Sequence, residues 1–152
     1  MCVALVLAAP AMAQVPPVDP TAVASAVEVR AAVAKMKAGM KPGQHFAWAP
    51  LLRDGATVAA LEYWTAPGKP AVHPDDAEYT VVVEGAGTLI SGGRLVDANA
   101  TRSDLVEGSR IEGGTTRALK VGDVMLIPAG APHWFGVTGG KLVLLGMKLP
   151  RR

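Results

Sequence analysis

Histidine and carboxylate side chains are the groups in this sequence best suited to chemistry. The chain of 152 residues contains three histidines, His45, His73 and His133. His133 follows an apolar run and a Pro-x-Gly turn in GDVMLIPAGAPHWFG, residues 122–136, and Glu78 lies five residues after His73. Imidazole and carboxylate ligands together suit Fe(II), Mn(II), Zn(II) or Ni(II). A lone histidine is more often a core residue bonded to a backbone carbonyl, so a metal site requires these side chains to converge.

The segment around His133 resembles the second sequence motif of the cupin superfamily. That motif consists of Gly, five residues, Pro-x-Gly, two residues, His, three residues and Asn. Gly122, Pro128, Gly130 and His133 match it in register, whereas Val137 replaces the Asn. The match is the more specific of the two that the chain offers.

The segment around Glu78 resembles the first cupin motif only in part. That motif is Gly, five residues, His-x-His, three or four residues, Glu, six residues and Gly, and Glu78 and Gly85 keep its final spacing. If His73 is the second histidine, Ala71 stands where the first should be. If His73 is instead the first, Asp75 takes the second place, but the spacer before Glu78 is too short. We prefer the register with Ala71, because it needs one substitution and no deletion.

The resemblance implies an all-β fold, a double-stranded β-helix or cupin jelly-roll barrel, here with an N-terminal helix. It also implies that His73, Glu78 and His133 converge on a divalent transition metal (Fe, Mn, Zn or Ni). The expected function is a metal-binding cupin that binds or acts on a small organic molecule in the barrel cavity, as a dioxygenase, isomerase, lyase or decarboxylase. The alternative is a non-catalytic small-molecule- or metal-binding cupin of the cell envelope.

Other polar and aromatic side chains have two interpretations each. Glu62 lies in an otherwise apolar strand, so it either points into the cavity as a catalytic acid or base or faces water. His45 follows a Pro-Gly turn and is expected at the surface. Five aromatic residues either line a ligand pocket or fill the barrel: Tyr63, Trp64, Tyr79, Trp134 and Phe135.

A helix is predicted near the N-terminus. Asp19-Pro20 resembles a helix N-cap followed by proline at the first helical position, and Gly39 is expected to end the helix near Ala38. An apolar stripe at helical spacing predicts a packing face against the domain: Val29, Val33, Met36 and Met40.

From Gln44 onward, short apolar runs alternate with turn residues, as in an antiparallel all-β domain. The predicted strands are TVAALEYW, YTVVVEG, GTLIS, TTRALK, DVMLIPA and KLVLLGMKL. Residues 94–112 are polar and weakly patterned, which predicts an excursion or loop.

The first residues resemble a secretory signal. A short apolar run precedes Ala11-Met12-Ala13, a small-x-small pattern that signal peptidase cuts. We therefore expect a signal-peptide remnant at 1–13, a linker and helix at 14–43, and a cupin barrel at 44–152, in a periplasmic or secreted protein. Cys2, the only cysteine, would leave with the signal, so a mature metal site would use nitrogen and oxygen ligands.

Composition limits the partners. Half of the residues are hydrophobic and 18% are charged, with a net charge of +2 and no basic cluster, so no nucleic-acid partner is expected. No apolar run approaches the ~20 residues that span a membrane. The expected partner is a small-molecule ligand or substrate, and the resemblance implies a homodimer.

Overall fold

The computed structural model describes residues 19–151, in which one helix precedes eleven strands. The predicted signal segment 1–13 lies outside the described residues. The elements are α1 (Ala26–Gly39), β1 (Phe46–Asp54), β2 (Thr57–Trp64), β3 (Ala71–Val72), β4 (Asp76–Ser91), β5 (Arg94–Val96), β6 (Asn99–Arg102), β7 (Leu105–Glu107), β8 (Arg110–Glu112), β9 (Thr115–Lys120), β10 (Val124–Ile127) and β11 (His133–Pro150). No helix within residues 19–151 has the length and apolar character that a membrane crossing requires.

The helix α1 begins later than predicted. Ser25, and not Asp19, is its N-cap, because Ser25 and Glu28 form a capping box in which each side chain bonds the other residue's backbone N–H. Asp19 instead accepts a hydrogen bond from the Thr21 N–H, at 2.9 Å, in a local turn. The helix ends at Gly39, with Met40 as the C-cap.

The apolar stripe of α1 packs on the outer face of the sheet, as predicted. Val33 and Met36 are buried against Leu61 and Tyr63 of β2 and Val143 of β11. This cluster attaches the helix to the barrel. The domain boundary predicted at residue 44 stays a prediction.

The antiparallel sheet follows the predicted strands closely. The bounds of β2 and β9 coincide with TVAALEYW and TTRALK, and YTVVVEG and GTLIS belong to one long strand, β4. The strand β1 was not predicted from the sequence. Pro50 and a register shift before Leu52 interrupt the regular alternation of its side chains between the two faces of the sheet. In the sheet β1 pairs with β2, β2 with β11, and β11 with β4, while β9 and β10 also pair with β4.

The strands β4 and β11 pair along most of their lengths and form a bent ribbon. A straight strand of 18 residues would extend about 60 Å. The pairing shifts at residues 138–142, where Gly139 and Gly140 have positive φ. On β4, Gly85 has a φ of 80°, and a Cβ there would lie 2.2 Å from the Lys141 carbonyl oxygen. The bend therefore requires glycine at position 85, the last residue of the first motif.

Residues 94–112 form the first of the two predicted alternatives, an excursion, which consists of four short strands. β5 pairs with β8 as a separate two-stranded sheet, and β7 pairs with β6 and with β3. Every residue of β6 is exposed, so the burial alternation that identifies a strand is absent. This excursion packs beside His73 and takes part in the site.

Candidate metal centre

The structure brings His73, Glu78 and His133 together. His73 follows β3, Glu78 lies near the start of β4, and His133 is the first residue of β11. Glu78 and His133 are each 5% exposed, and one potential ligand atom from each of the three residues lies within 4.8 Å of the others. Two segments that are distant in the sequence, residues 73–78 and the start of β11, thus meet at one point inside the barrel.

A tight turn between β10 and β11 positions His133. The Ala131 N–H donates to the Pro128 carbonyl at 3.1 Å, and Gly130 has a φ of 79°, which favours glycine. The Gly130 N–H donates to the His73 carbonyl at 2.8 Å. The second-motif turn is therefore bonded directly to the backbone of the first motif.

Backbone carbonyls fix the orientation of both imidazoles. His73 Nδ1 lies 3.0 Å from the carbonyl oxygen of Asp104, and His133 Nδ1 lies 3.0 Å from that of Ala131. A carbonyl only accepts, so each Nδ1 carries the proton and each neutral ring has a lone pair on Nε2. These Nε2 atoms lie 3.5 Å (His73) and 3.4 Å (His133) from Glu78 Oε2. Metal-ligating histidines typically have this arrangement.

The electrostatics of the site favour a cation between these atoms. Two lone pairs and a carboxylate oxygen repel one another unless a positive charge lies among them. Burial raises the pKa of Glu78, but when His133 Nε2 carries a proton and donates a hydrogen bond to Glu78, this bond and the charge of Lys148 outweigh burial and hold the pKa at about 2. Burial, followed by the charge of Lys148, lowers the pKa of His73 below 6.5, which favours its neutral form.

Lys148 is a site residue that the sequence analysis missed. Its Nζ contacts Glu78 Oε2, and the two residues are direct partners across β11 and β4. The available signal was the second lysine of KLVLLGMKL, which follows an apolar run, but a lysine near a strand end is usually solvated.

A cavity of about 350 Å³ adjoins the site. Cross-strand partners share a face of a sheet, and the row Ala60, Gly146 and Thr80 contains two small residues that leave space for it. Among the described residues, the buried Thr80 hydroxyl has no hydrogen-bond partner. The lining includes Trp48, Glu62, Asp76, Glu78 and Lys148.

Glu62 faces this cavity, which agrees with the first interpretation of this residue. It lies opposite Trp48 on β1 and Leu144 on β11, and it accepts a hydrogen bond from Trp64 Nε1 at 3.2 Å. Burial, and then the negative charge of Glu78, raise the pKa of Glu62 from 4.5 to about 7. A carboxyl group with such a pKa exchanges protons readily near neutral pH.

The geometry supports the register with Ala71. Ala71 is the antiparallel partner of His133, so their side chains share the inner face of the sheet. Asp75 is exposed and does not belong to the group of potential ligands. His45 is exposed, as expected, and its Nδ1 lies 3.1 Å from Thr65 Oγ1.

The five aromatic residues that were candidates for a ligand pocket do not line this cavity. Phe135 is in the inner core with Trp64 packed against it, and Tyr63 lies under α1. Trp134 donates its indole N–H to the Gly68 carbonyl at 2.7 Å, and Tyr79 is 38% exposed. The cavity's aromatic residue is Trp48, which lies on the strand that the sequence analysis missed.

Comparison with known families agrees with the fold. The sequence model of the Cupin family matches residues 49–147, which cover both motifs and most of the sheet. The chain therefore belongs to the cupin family. No curated protein sequence matches it significantly.

Solved structures with similar folds have low sequence identity. TT1209 from Thermus thermophilus is 18% identical with a TM-score of 0.53, and the match covers 79% of this chain and 95% of that one. The cupin-2 domain protein Rru_A2000 from Rhodospirillum rubrum is 14% identical (TM-score 0.52), covering 72% and 62%. The DMSP lyase DddQ from Ruegeria pomeroyi is 19% identical (TM-score 0.54), covering 86% and 66%. These likenesses define the fold.

Proposed function

We propose that this protein is a metal-dependent cupin that binds a divalent transition metal through His73, Glu78 and His133 and acts on a small organic molecule in the adjoining cavity. The observation that carries the proposal is the orientation of the two imidazoles. Both Nδ1 atoms donate to backbone carbonyls, and both Nε2 atoms face Glu78 Oε2. Two histidines and one carboxylate fit Fe, Mn, Zn or Ni with open positions for a ligand.

The cavity supports a reaction that includes proton transfer. A bound metal would supply Lewis acidity toward a substrate oxygen. Glu62 lies on the wall of the same cavity and, with a pKa of about 7, accepts or returns a proton at neutral pH. An isomerase or lyase uses these groups more fully than a dioxygenase does.

The second candidate function is a non-catalytic small-molecule-binding cupin of the cell envelope. Lys148 favours it, because its ammonium gives the Glu78 carboxylate a positive partner without any metal. The alanine at position 71 also leaves one ligand fewer than the full cupin motif provides. The segment Ala11-Met12-Ala13 supports export in either case.

Metal analysis separates the two functions. Protein purified without chelators or added metal is expected to contain about one first-row divalent metal per chain. His133→Ala should lose this metal because it removes a ligand, whereas His45→Ala, at the exposed histidine, should retain it. Equal metal content in the unaltered protein and His133→Ala would contradict the proposed metal site.

We also propose that the protein forms a homodimer. Exposed apolar side chains on and beside β10 support this proposal: Val121 (59%), Val124 (59%) and Leu126 (63%). Sedimentation analysis that gives the mass of a single chain at micromolar concentration would disprove it.

A further inference from the structure

Lys148 brings a positive charge to the carboxylate of the candidate metal centre. Its Nζ contacts Glu78 Oε2, the atom that lies 3.5 Å from His73 Nε2 and 3.4 Å from His133 Nε2. Two imidazoles and one ammonium therefore converge on a single oxygen. The Lys148 ammonium thus contacts an oxygen atom that a metal at this site would also bind.

A divalent metal at this oxygen would displace the ammonium. Like charges a few ångströms apart repel strongly in a partly buried site, where water screens them poorly. Metal binding should therefore break the contact between Lys148 and Glu78.

The displaced ammonium has room in the cavity. The Lys148 side chain is 39% exposed and already lines this space. Gly146, two residues earlier on the same face of β11, contributes no side chain, so the cavity floor beside Lys148 stays open. Among the described residues that line the cavity, Lys148 alone is basic.

We propose that Lys148 is a movable counter-cation that neutralises Glu78 in the metal-free protein and, once a metal displaces it, binds the carboxylate of a small organic acid in the same cavity. The inference rests on the metal site proposed above and adds the class of ligand. Binding of the metal and of the acid would then be coupled, because each stabilises the state in which Lys148 has left Glu78.

The charges in the cavity favour an external carboxylate. A divalent metal and Lys148 carry three positive charges, whereas Glu78 and Asp76 carry two negative ones. The carboxyl group of Glu62 already accepts the indole N–H of Trp64. One more negative group, supplied by a ligand, balances the loaded site.

The test measures Co²⁺ affinity of the full chain by calorimetry at one fixed pH, with and without propionate. Propionamide is the matched control, because it has nearly the same size and no charge. In the unaltered protein propionate should raise the Co²⁺ affinity by about tenfold or more, and propionamide should not. Lys148→Met should bind Co²⁺ about tenfold or more tightly without propionate and should lose the propionate effect. Lys148→Arg, which keeps the charge, should retain the effect.

Three results would overturn the proposal. The first is equal Co²⁺ affinity in the unaltered protein and Lys148→Met. The second is no propionate effect in the unaltered protein. The displaced Lys148 ammonium would then bind Asp76 or Glu62 and not an external carboxylate. The third is a propionate effect that persists in Lys148→Met, since propionate would then bind the metal directly.

A different set of Co²⁺-binding results would show that the metal site itself is wrong. Absence of Co²⁺ binding in every variant would contradict the proposed function and this inference together. Binding in Lys148→Met but not in the unaltered protein would support the competition. Circular dichroism checks that Lys148→Met is folded, and if it is not, Lys148→Gln and the propionate comparison in the unaltered protein decide the outcome.

Discussion

At the scale of single residues, the chemistry of this barrel depends on the side chain of Glu78. A carboxylate that is 5% exposed would be costly to bury alone, and here two imidazoles and one ammonium surround it. The arrangement keeps Glu78 ionised over the whole physiological range, since its pKa is held at about 2. Burial, and then the charge of this carboxylate, raise the pKa of Glu62 across the cavity, so the two acidic groups differ in protonation near neutral pH.

Adding the missing first histidine tests the motif register. Ala71 is the cross-strand partner of His133, so an imidazole at position 71 would point toward the same interior point. Ala71→His should therefore increase metal retention against a chelator by about tenfold or more, equivalent to ~1.4 kcal/mol. Asp75→Ala, at an exposed position, should leave retention unchanged. Unchanged retention in Ala71→His together with a loss in Asp75→Ala would establish the other register.

The pKa of Glu62 predicts how stability depends on pH in the metal-free protein. Its pKa is raised from 4.5 to about 7 on folding, so the protonated form is favoured in the folded state. The resulting stabilisation is complete below pH 4.5 and is lost as the pH rises through about 7. The loss is at most about 3 kcal/mol.

Denaturant unfolding across this pH range checks the prediction. Glu62→Gln should remove the decline in the free energy of unfolding between pH 5 and 8, and Glu107→Gln, outside the cavity, should keep it. A decline of the same size in Glu62→Gln would mean that another group causes it.

At the scale of elements, the helix α1 acts as a cover for the outer face of β2 and β11. Two of its three valines allow a matched test, because Val33 is 6% exposed and Val27 is 67% exposed. Val33→Ala removes buried apolar surface and should lower the free energy of unfolding by about 2 kcal/mol. Val27→Ala should change it by less than about 0.5 kcal/mol. Equal effects of the two substitutions, measured by urea unfolding, would show that α1 does not pack stably on the sheet.

The elements that sequence analysis predicted are those with a strong local pattern. β2 has an apolar run bounded by turn residues, β9 lies between Gly113-Gly114 and Gly122, and the turn before His133 keeps the second-motif spacing from Gly122 to His133. β1 was missed because Pro50 breaks its pattern, and β6 was missed because all its residues are exposed. The contact of Lys148 with Glu78 depends on strand register, which no local pattern encodes.

At the scale of the whole molecule, the sequence predicts that the barrel is exported. The Ala11-Met12-Ala13 pattern places cleavage after Ala13, so mass spectrometry of envelope or secreted fractions should find a mature protein that begins near Gln14. Substituting Ala13 with a bulky residue such as Leu should block processing and leave the longer form. A cytoplasmic product that retains Met1 and Cys2 would contradict export.

The bent ribbon of β4 and β11 has a consequence for hydrogen exchange. His133 and Lys148 lie at opposite ends of β11, yet both contact Glu78. One carboxylate therefore links the two ends of the strand. Local fraying at either end of β11 would break a contact of that carboxylate and disturb the other end. The amides of β11 should therefore exchange with deuterium as one cooperative unit, and a cation held at Glu78 should slow exchange along the whole strand.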